Sequence, residues 1–166
     1  MIEFPTDESR WIWLAGVMDC DSCICLSRAK LTRKDGKRKL SYRPNISFEQ
    51  TSKDLINEIA NVAGEGTFVH LKANYNYPNK YSSRWRSIYR VVFGSPKVRL
   101  ILPKVIPYLV KKKDQAILLN EATKLISLHN RGFTGNDSRL AEIFEQLHSL
   151  HEKNGRLKRQ LKLGAD

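Results

Sequence analysis

The sequence lacks the features that would place a protein in a membrane or on a secretory route. No apolar run approaches the about 20 residues that a membrane-spanning helix needs, so we expect no membrane partner. The opening residues, MIEFPTDE, are acidic and contain neither the basic nor the apolar part of a signal peptide. No low-complexity tract occurs either. These absences favour an intracellular globular protein.

Cysteine is scarce and clustered, since the chain contains only Cys20, Cys23 and Cys25. An odd number at such close spacing does not form a disulfide framework. A zinc site needs four ligands, and no further Cys or His pair follows at zinc-finger spacing. We therefore expect small, buried thiols in a reducing compartment. The cytoplasm of a prokaryote or of a phage-infected cell, or an organelle, fits this expectation.

Basic residues are abundant: 29 Lys and Arg stand against 17 Asp and Glu, which gives a formal net charge of +12. The isoelectric point of about 9.8 on a globular chain favours a polyanionic partner, and nucleic acid is the principal candidate. A basic, ribosome-associated protein is the alternative that charge leaves open.

Hydrophobic periodicity predicts an α+β chain with the order α-β-β-α-β-β-α-α. The strands pair as two basic hairpins, because a charged loop around Asp35-Gly36 joins the first two and a polar loop joins the next two. The predicted helices are 7–19, 52–66, 97–109, 109–129 and 138–163, and the predicted strands are 23–32, 41–50, 67–75 and 84–93. Pro44 indicates an edge or a bulge in the second strand, because proline cannot donate to a ladder.

Two acidic residues, Asp19 and Asp21, stand where the first predicted helix ends and a strand begins. Carboxylates at a helix C-terminus oppose the helix dipole, so a compensating cation is expected near them. Carboxylate and carbonyl oxygens are ligands that suit Mg²⁺ or Ca²⁺. Solvated carboxylates with no metal are the alternative.

The flanking residues carry a resemblance to a known family. The segment 14–22, LAGVMDCDS, resembles the motif that names the LAGLIDADG homing endonucleases, with identity at Leu14, Ala15, Gly16, Asp19 and Asp21. The segments 46–54 and 102–116 are similar to further parts of that family. The resemblance implies a single domain over 1–166 with an αββαββα core at about 7–129. Its hairpins would form a saddle-like DNA-binding sheet, and helices at about 137–163 would extend it.

The resemblance also implies roles for individual residues. Asp21 would hold a catalytic metal together with the backbone carbonyl of Cys20, while Asp19 would be the structural acid of the motif. Gln50 would touch the water network near the metal, with Ser52 as an alternative at that position, and Lys112 would be the basic active-site residue. The implied cofactor is Mg²⁺; Mn²⁺ is an alternative, and Ca²⁺ would occupy the site without supporting cleavage.

A single copy of the motif predicts a homodimer. Gly16 and Cys20 are small and four residues apart, so they lie on one helical face and permit close approach of a second helix. Because the chain has one such helix, the partner helix would come from a second copy. The predicted interface residues of this helix are Trp13, Gly16, Val17 and Cys20.

The hairpins are predicted to bind DNA, because a two-stranded ribbon fits the major groove and the strands carry alternating polar residues. The predicted contact residues are Ser27, Arg28, Lys30, Arg33, Lys37, Arg38, Arg43, Asn45, Ser47, Glu49, His70, Lys72, Asn74, Arg84, Arg86 and Arg90. Arg28 and Lys30 differ in parity from Cys25 and Ser27, so we expect a bend or bulge in the first strand.

Together these features predict a homodimeric, site-specific homing endonuclease that makes double-strand breaks in a long pseudo-palindromic target. Metal-assisted phosphodiester hydrolysis would be its chemistry. A non-cleaving member of the same fold, acting as an RNA maturase or a transcription regulator, is the alternative. Intron RNA is accordingly a second candidate partner.

Overall fold

A computed structural model describes residues 2–32, 38–64, 66–71, 88–129 and 137–163. The helices are α1 (Asp7–Asp21), α2 (Lys53–Ala63), α3 (Ser95–Val105), α4 (Lys113–His129) and α5 (Asp137–Leu163), and a 3₁₀ turn spans Ile106–Tyr108. The strands are β1 (Ser22–Thr32), β2 (Arg38–Gln50), β3 (Thr67–Leu71) and β4 (Ile88–Phe93). The α+β class and the αββαββα order of the core are confirmed. In the described ranges, no helix has the length and apolar character of a membrane span.

Helix α1 begins at a capping box and is apolar around most of its circumference. The Thr6 hydroxyl accepts from the backbone N–H of Ser9 at 3.0 Å, while the Ser9 hydroxyl accepts from the Thr6 N–H at 3.2 Å. One face of α1 is fully buried, and its members are Trp11, Leu14, Ala15 and Met18. The helix runs to Asp21, two residues beyond the predicted end, and leads directly into β1 at Ser22.

The four strands form one antiparallel sheet with the order β1-β2-β4-β3. In the central part of β1 and β2, the residues that face the helices are buried, and Ile24, Ile46 and Phe48 are among them. Val91 and Phe93 of β4 join the same core, which also includes Leu140, Ile143 and Leu147 of α5. The helices therefore cover one side of the sheet. Its other side, here called the open face, carries Cys23, Cys25, Ser27, Arg43, Asn45, Ser47, Glu49 and Arg90.

The predicted bulge in β1 is wrong. The register with β2 is unbroken from Ser22 opposite Phe48 to Thr32 opposite Arg38, so side chains alternate strictly along the whole strand. Arg28 and Lys30 consequently have the parity of Ile24, on the side of the helices. Pro44 does lie at an edge, because β4 pairs with β2 only from Ile46 to Gln50.

The predicted start of the helix 109–129 is also wrong, since α4 begins at Lys113. Leu109 is extended, with φ −71° and ψ 138°, and the three residues after it are not helical. The backbone N–H groups of these three residues donate to the side chain of Asp19 on α1, so they do not take part in a helical turn. This non-helical segment lies at the candidate site.

Candidate functional site

The C-terminus of α1 brings the two motif acids next to Lys112. The Lys112 ammonium donates to the Met18 carbonyl at 2.7 Å and to the Ser22 carbonyl at 2.6 Å, and these residues flank the end of the helix. A cation at a helix C-terminus interacts favourably with the negative end of the helix dipole. The predicted basic residue therefore lies beside Asp21, which is separated from it by 91 positions in the chain.

Asp19 connects α1 to the segment that carries Lys112. One of its carboxylate oxygens accepts from the backbone N–H of Val110 at 2.8 Å. The other accepts from the N–H groups of Lys111 at 3.1 Å and Lys112 at 2.8 Å. A carboxylate is well suited to bind the free N–H groups ahead of a helix, here α4. The predicted structural role of Asp19 fits these contacts, although Asp19 holds α4 rather than the end of α1.

Asp21 differs from Asp19 in having its carboxylate available. It is exposed, and no hydrogen-bond or ion-pair partner for it occurs among the residues that the structure describes. The Cys20 carbonyl lies in the last turn of α1, two residues beyond Met18, whose carbonyl accepts from the Ser22 N–H at the C-cap. A free carboxylate and a neighbouring carbonyl form a hard oxygen set that fits Mg²⁺ or Ca²⁺.

The donors that one chain offers near Asp21 would form an open metal site rather than a closed one. Within the described ranges, no three His, Cys, Asp or Glu side chains come together as a closed metal centre. Mg²⁺ commonly binds one or two carboxylates and takes its remaining ligands from water and substrate phosphates. The donors of this site thus fit a cation that is shared with a phosphate or with a second protein copy.

The structure separates the two alternatives at the end of β2. Ser52 is the N-cap of α2, and its hydroxyl accepts from the Leu55 N–H at 3.2 Å. Gln50 is the last residue of β2 and is half-buried, two positions beyond Phe48, which pairs with Ser22. Gln50 therefore lies at the end of the sheet where α1 delivers Asp21. Its catalytic role stays a prediction, and Ser52 has a structural role of its own.

Six of the predicted DNA contacts occupy the open face: Ser27, Arg43, Asn45, Ser47, Glu49 and Arg90. Arg90 of β4 forms an ion pair with the opposing Glu49 at 3.2 Å and donates to the Ser47 hydroxyl at 3.4 Å. Ser47 is only 4% exposed, so its hydroxyl orients Arg90 and is not itself accessible to a groove. Arg43 is exposed, and among the described residues no ion pair or hydrogen bond restrains its side chain.

Arg28 is not on this face, contrary to the prediction. Its guanidinium lies 4.3 Å from the ring centroid of Phe144 and pairs with Glu145 at 3.4 Å, both on α5. Arg28 thus holds α5 to the edge strand β1. Lys30 shares its parity and is exposed. Because the register of β1 is unbroken, both Arg28 and Lys30 lie on the side of the sheet opposite the open face.

The remaining predicted contacts cannot be placed. Arg33, Lys37, Lys72, Asn74, Arg84 and Arg86 lie outside the described residues. Arg38 and His70 belong to β2 and β3 through their backbones, where they pair with Thr32 and Tyr89, but their side chains are also outside the described part.

The thiols are more accessible than predicted. Cys20 and Cys23 are exposed, and Cys25 is half-buried, because Cys23 and Cys25 point to the open face rather than to the core. The hydrogen bond between the two thiols lowers the pKa of Cys23 to about 6, and the positive charges of His151, Lys112 and Arg90 act in the same direction. The same hydrogen bond, together with burial, raises the pKa of Cys25.

His151 of α5 is not simply solvated, because its ring nitrogen lies 2.8 Å from the Ile24 carbonyl of β1. It adds a second connection between α5 and the edge strand. Sequence reasoning missed it because a histidine on an amphipathic helix gives no local signal of the strand that it meets.

The outer face of α1 is apolar and exposed. Ile12 is 49% exposed, and Trp13, Val17 and Cys20 lie on the same side. A Cβ atom added at Gly16 would meet nothing within 4 Å. The fold of one chain therefore does not require glycine at this position, which leaves a surface with room for another helix. Ile12 was not among the predicted interface residues, although its i, i+4, i+8 relation to Gly16 and Cys20 could have identified it.

No protein-family model and no curated protein matches the chain. Solved structures do. The homing endonuclease I-CvuI in complex with its target matches with a TM-score of 0.58 and 24% identity, over 87% of this chain and 83% of that chain. The archaeal intron-encoded homing endonuclease I-Vdi141I complexed with DNA matches with a TM-score of 0.64 and 17% identity, over 87% and 86%. The I-LtrWI LAGLIDADG homing endonuclease bound to target DNA matches with a TM-score of 0.63 and 16% identity, over 87% of this chain and 46% of that chain.

Proposed function

We propose that this chain, which has the fold of the LAGLIDADG homing endonucleases, is a homodimeric DNA endonuclease that makes double-strand breaks in a long pseudo-palindromic target. The observation that carries the proposal is the arrangement at the end of α1. There Asp21, which has no partner in the described part of the chain, lies beside Lys112, and Gln50 ends the neighbouring strand β2. This cluster stands next to a sheet whose open face is polar and basic.

The outer surface of α1 supports the homodimer. Ile12 is exposed and Trp13 and Val17 are only partly buried, so this apolar surface would be costly in water, and open space at Gly16 lets a second helix approach its backbone. In the dimer, a two-fold axis would place the two Asp21 carboxylates near each other.

The residues of this chain suit phosphodiester hydrolysis. A bound Mg²⁺, or Mn²⁺ as the alternative, would supply a Lewis acid and acidify water. Asp21 and the Cys20 carbonyl would hold it, and Gln50 would orient water at the end of β2. The Lys112 ammonium, already restrained by two carbonyls, would stabilise the negative charge that develops on the phosphate. Structures of I-CvuI obtained with 2 mM Ca or 2 mM Mg support a divalent cation at this fold.

The open face would contact the major groove, with Arg43, Asn45, Glu49 and Arg90 as its accessible polar residues. The excess of positive charge would add sequence-independent attraction to phosphates. We also propose that the protein works in a reducing compartment, since the exposed Cys20 and Cys23 are free thiols.

Cleavage of a randomised duplex library in Mg²⁺ tests the proposal. The wild-type protein is compared with Asp21→Asn and with the control Asp137→Asn, which changes an exposed acid at the start of α5. We expect metal-dependent double-strand cuts at a near-palindromic consensus for the wild type and the control, and none for Asp21→Asn. Sequence-selective binding without cutting by any of the three would support the maturase or regulator alternative instead. Equal cutting by Asp21→Asn would refute the assigned role of Asp21.

A further inference from the structure

A three-residue network on the open face fixes the orientation of one amide. Asn45 of β2 lies opposite Cys25 of β1, and the Cys25 thiol donates to the Asn45 Oδ1 at 2.9 Å. The Asn45 Nδ2 donates to the Ser27 hydroxyl at 2.8 Å. Because Cys25 and Ser27 are two residues apart, both point to the same side of the sheet and flank the amide.

The chemistry of the partners determines which way round the amide sits. An amide oxygen only accepts hydrogen bonds, so the thiol must be the donor to Oδ1. Cys25 has one thiol hydrogen, and in this structure that hydrogen points to Oδ1, while the Ser27 hydroxyl oxygen accepts from Nδ2. The oxygen of the amide is therefore held next to Cys25 and the nitrogen next to Ser27.

Each atom of this amide retains one unused hydrogen-bonding position. The oxygen has a second lone pair and the nitrogen a second hydrogen, since each has used one of two with Cys25 and Ser27. One acceptor beside one donor complements the N6 amino group and N7 of adenine in the major groove. A side chain held in this orientation before binding loses little conformational freedom on binding.

We propose that Asn45 reads an adenine in the major groove of the target and that Cys25 and Ser27 are positioning residues that hold its amide. The inference rests on the proposed function and adds the base that one residue of the open face selects. It also changes the role of Ser27, whose hydroxyl supports Asn45 and does not read a base itself. In a homodimer, the same preference would occur at two positions related by the symmetry of the target.

The test is a binding selection from a randomised duplex library in Ca²⁺, so that cleavage is not required. The proteins compared are the wild type, Asn45→Ala, Cys25→Ala, Cys25→Ser and Ser27→Ala. Ser41→Ala is the control, because it removes a hydroxyl from the same side of β2 opposite Ala29. Thermal melting of each variant confirms that the sheet is intact.

For the wild type we expect a preference for adenine of at least about fivefold at one position in each half-site. Asn45→Ala should abolish this preference at those two positions alone. Cys25→Ala and Ser27→Ala should weaken it there by roughly two- to tenfold, the effect of one lost hydrogen bond. Cys25→Ser, which retains a donor, and Ser41→Ala should preserve it.

Three outcomes would overturn the inference. Asn45→Ala could leave every base preference unchanged, or Cys25→Ala and Ser27→Ala could leave the preference at the Asn45 positions unchanged. If Cys25→Ala does not fold, Cys25→Ser decides the matter: a folded Cys25→Ser protein that has lost the preference for adenine would also refute the inference. A wild-type protein that selects no sequence at all would refute the proposed function and the inference with it. Failure of the proposed function is therefore distinguishable from failure of the inference alone, in which the wild type still selects a sequence.

Discussion

Replacement of Asp19 by alanine should destabilise the protein and displace the active-site lysine. The carboxylate accepts three backbone hydrogen bonds, from Val110, Lys111 and Lys112, at 2.8 to 3.1 Å. A hydrogen bond to a charged group contributes roughly 1.5–3 kcal/mol, but the Val110 and Lys111 bonds are exposed, so water can replace them at little cost. We therefore expect the free energy of unfolding to decrease by about 2–4 kcal/mol. Most of this loss would come from the half-buried hydrogen bond of the Lys112 N–H and from the turn at 110–112, which would lose its order.

Thermal denaturation at one fixed protein concentration measures this loss, since the stability of a dimer depends on concentration. For a chain of this size, about 2–4 °C per kcal/mol predicts a decrease in the melting temperature of about 4–16 °C. Asp19→Asn should give an intermediate result, because its single oxygen can still accept from Lys111 and Lys112, whereas its NH₂ group faces the Val110 N–H. A melting temperature of Asp19→Ala within about 1 °C of the wild type would refute this reasoning.

One further single change and two pairs of changes test the roles assigned to individual residues. Gly16→Trp should leave the monomer folded, since its Cβ meets nothing within 4 Å, but should abolish the dimer in analytical ultracentrifugation. Ser52→Ala should lower the free energy of unfolding by about 1 kcal/mol through its lost cap and leave cleavage intact, whereas Gln50→Ala should slow cleavage without destabilising the fold. Arg28→Ala should lower the free energy of unfolding by about 1 kcal/mol. Arg43→Ala should instead reduce the slope of log K for DNA binding against log salt concentration by about one, the change expected for one lost phosphate contact.

Each comparison has a contrary result. A Gly16→Trp dimer of normal affinity would place the interface elsewhere than on α1. Slow cleavage by Ser52→Ala with unchanged stability would transfer the predicted water contact from Gln50 to Ser52. A DNA-binding defect in Arg28→Ala that exceeds the defect in Arg43→Ala would mean that the covered side of β1 contacts DNA.

The local signals of the sequence were sufficient for most of the fold and for the motif. The periodicity of α1 and the alternation of β2 follow from elementary side-chain geometry, and the structure has both. The resemblance to the LAGLIDADG homing endonucleases is confirmed by the fold. The proximity of Lys112 to Asp21 came from that resemblance and from no spacing rule, because it depends on a contact between residues distant in sequence.

The errors arose where a tertiary contact decided the local structure. Helical propensity over 109–112 gave way to the three N–H groups that bind Asp19. Arg28 has the composition of a DNA contact, and only the register with β2 and the presence of Phe144 show that it faces α5. The thiols were expected in the core because cysteine is usually buried, whereas strand parity alone would have placed Cys23 and Cys25 with Asn45.

The most direct test of the central claim is cleavage by mixed dimers on the selected target in a supercoiled plasmid. One copy is wild type and the other, with a different affinity tag, carries Lys112→Met, which keeps the aliphatic stem and removes the ammonium. If each copy supplies the residues that cut one strand, the mixed dimer should convert the plasmid to the nicked circle, while the wild-type dimer gives the linear form. Linear product from the mixed dimer at the wild-type rate would contradict the account, because one complete site would then cut both strands.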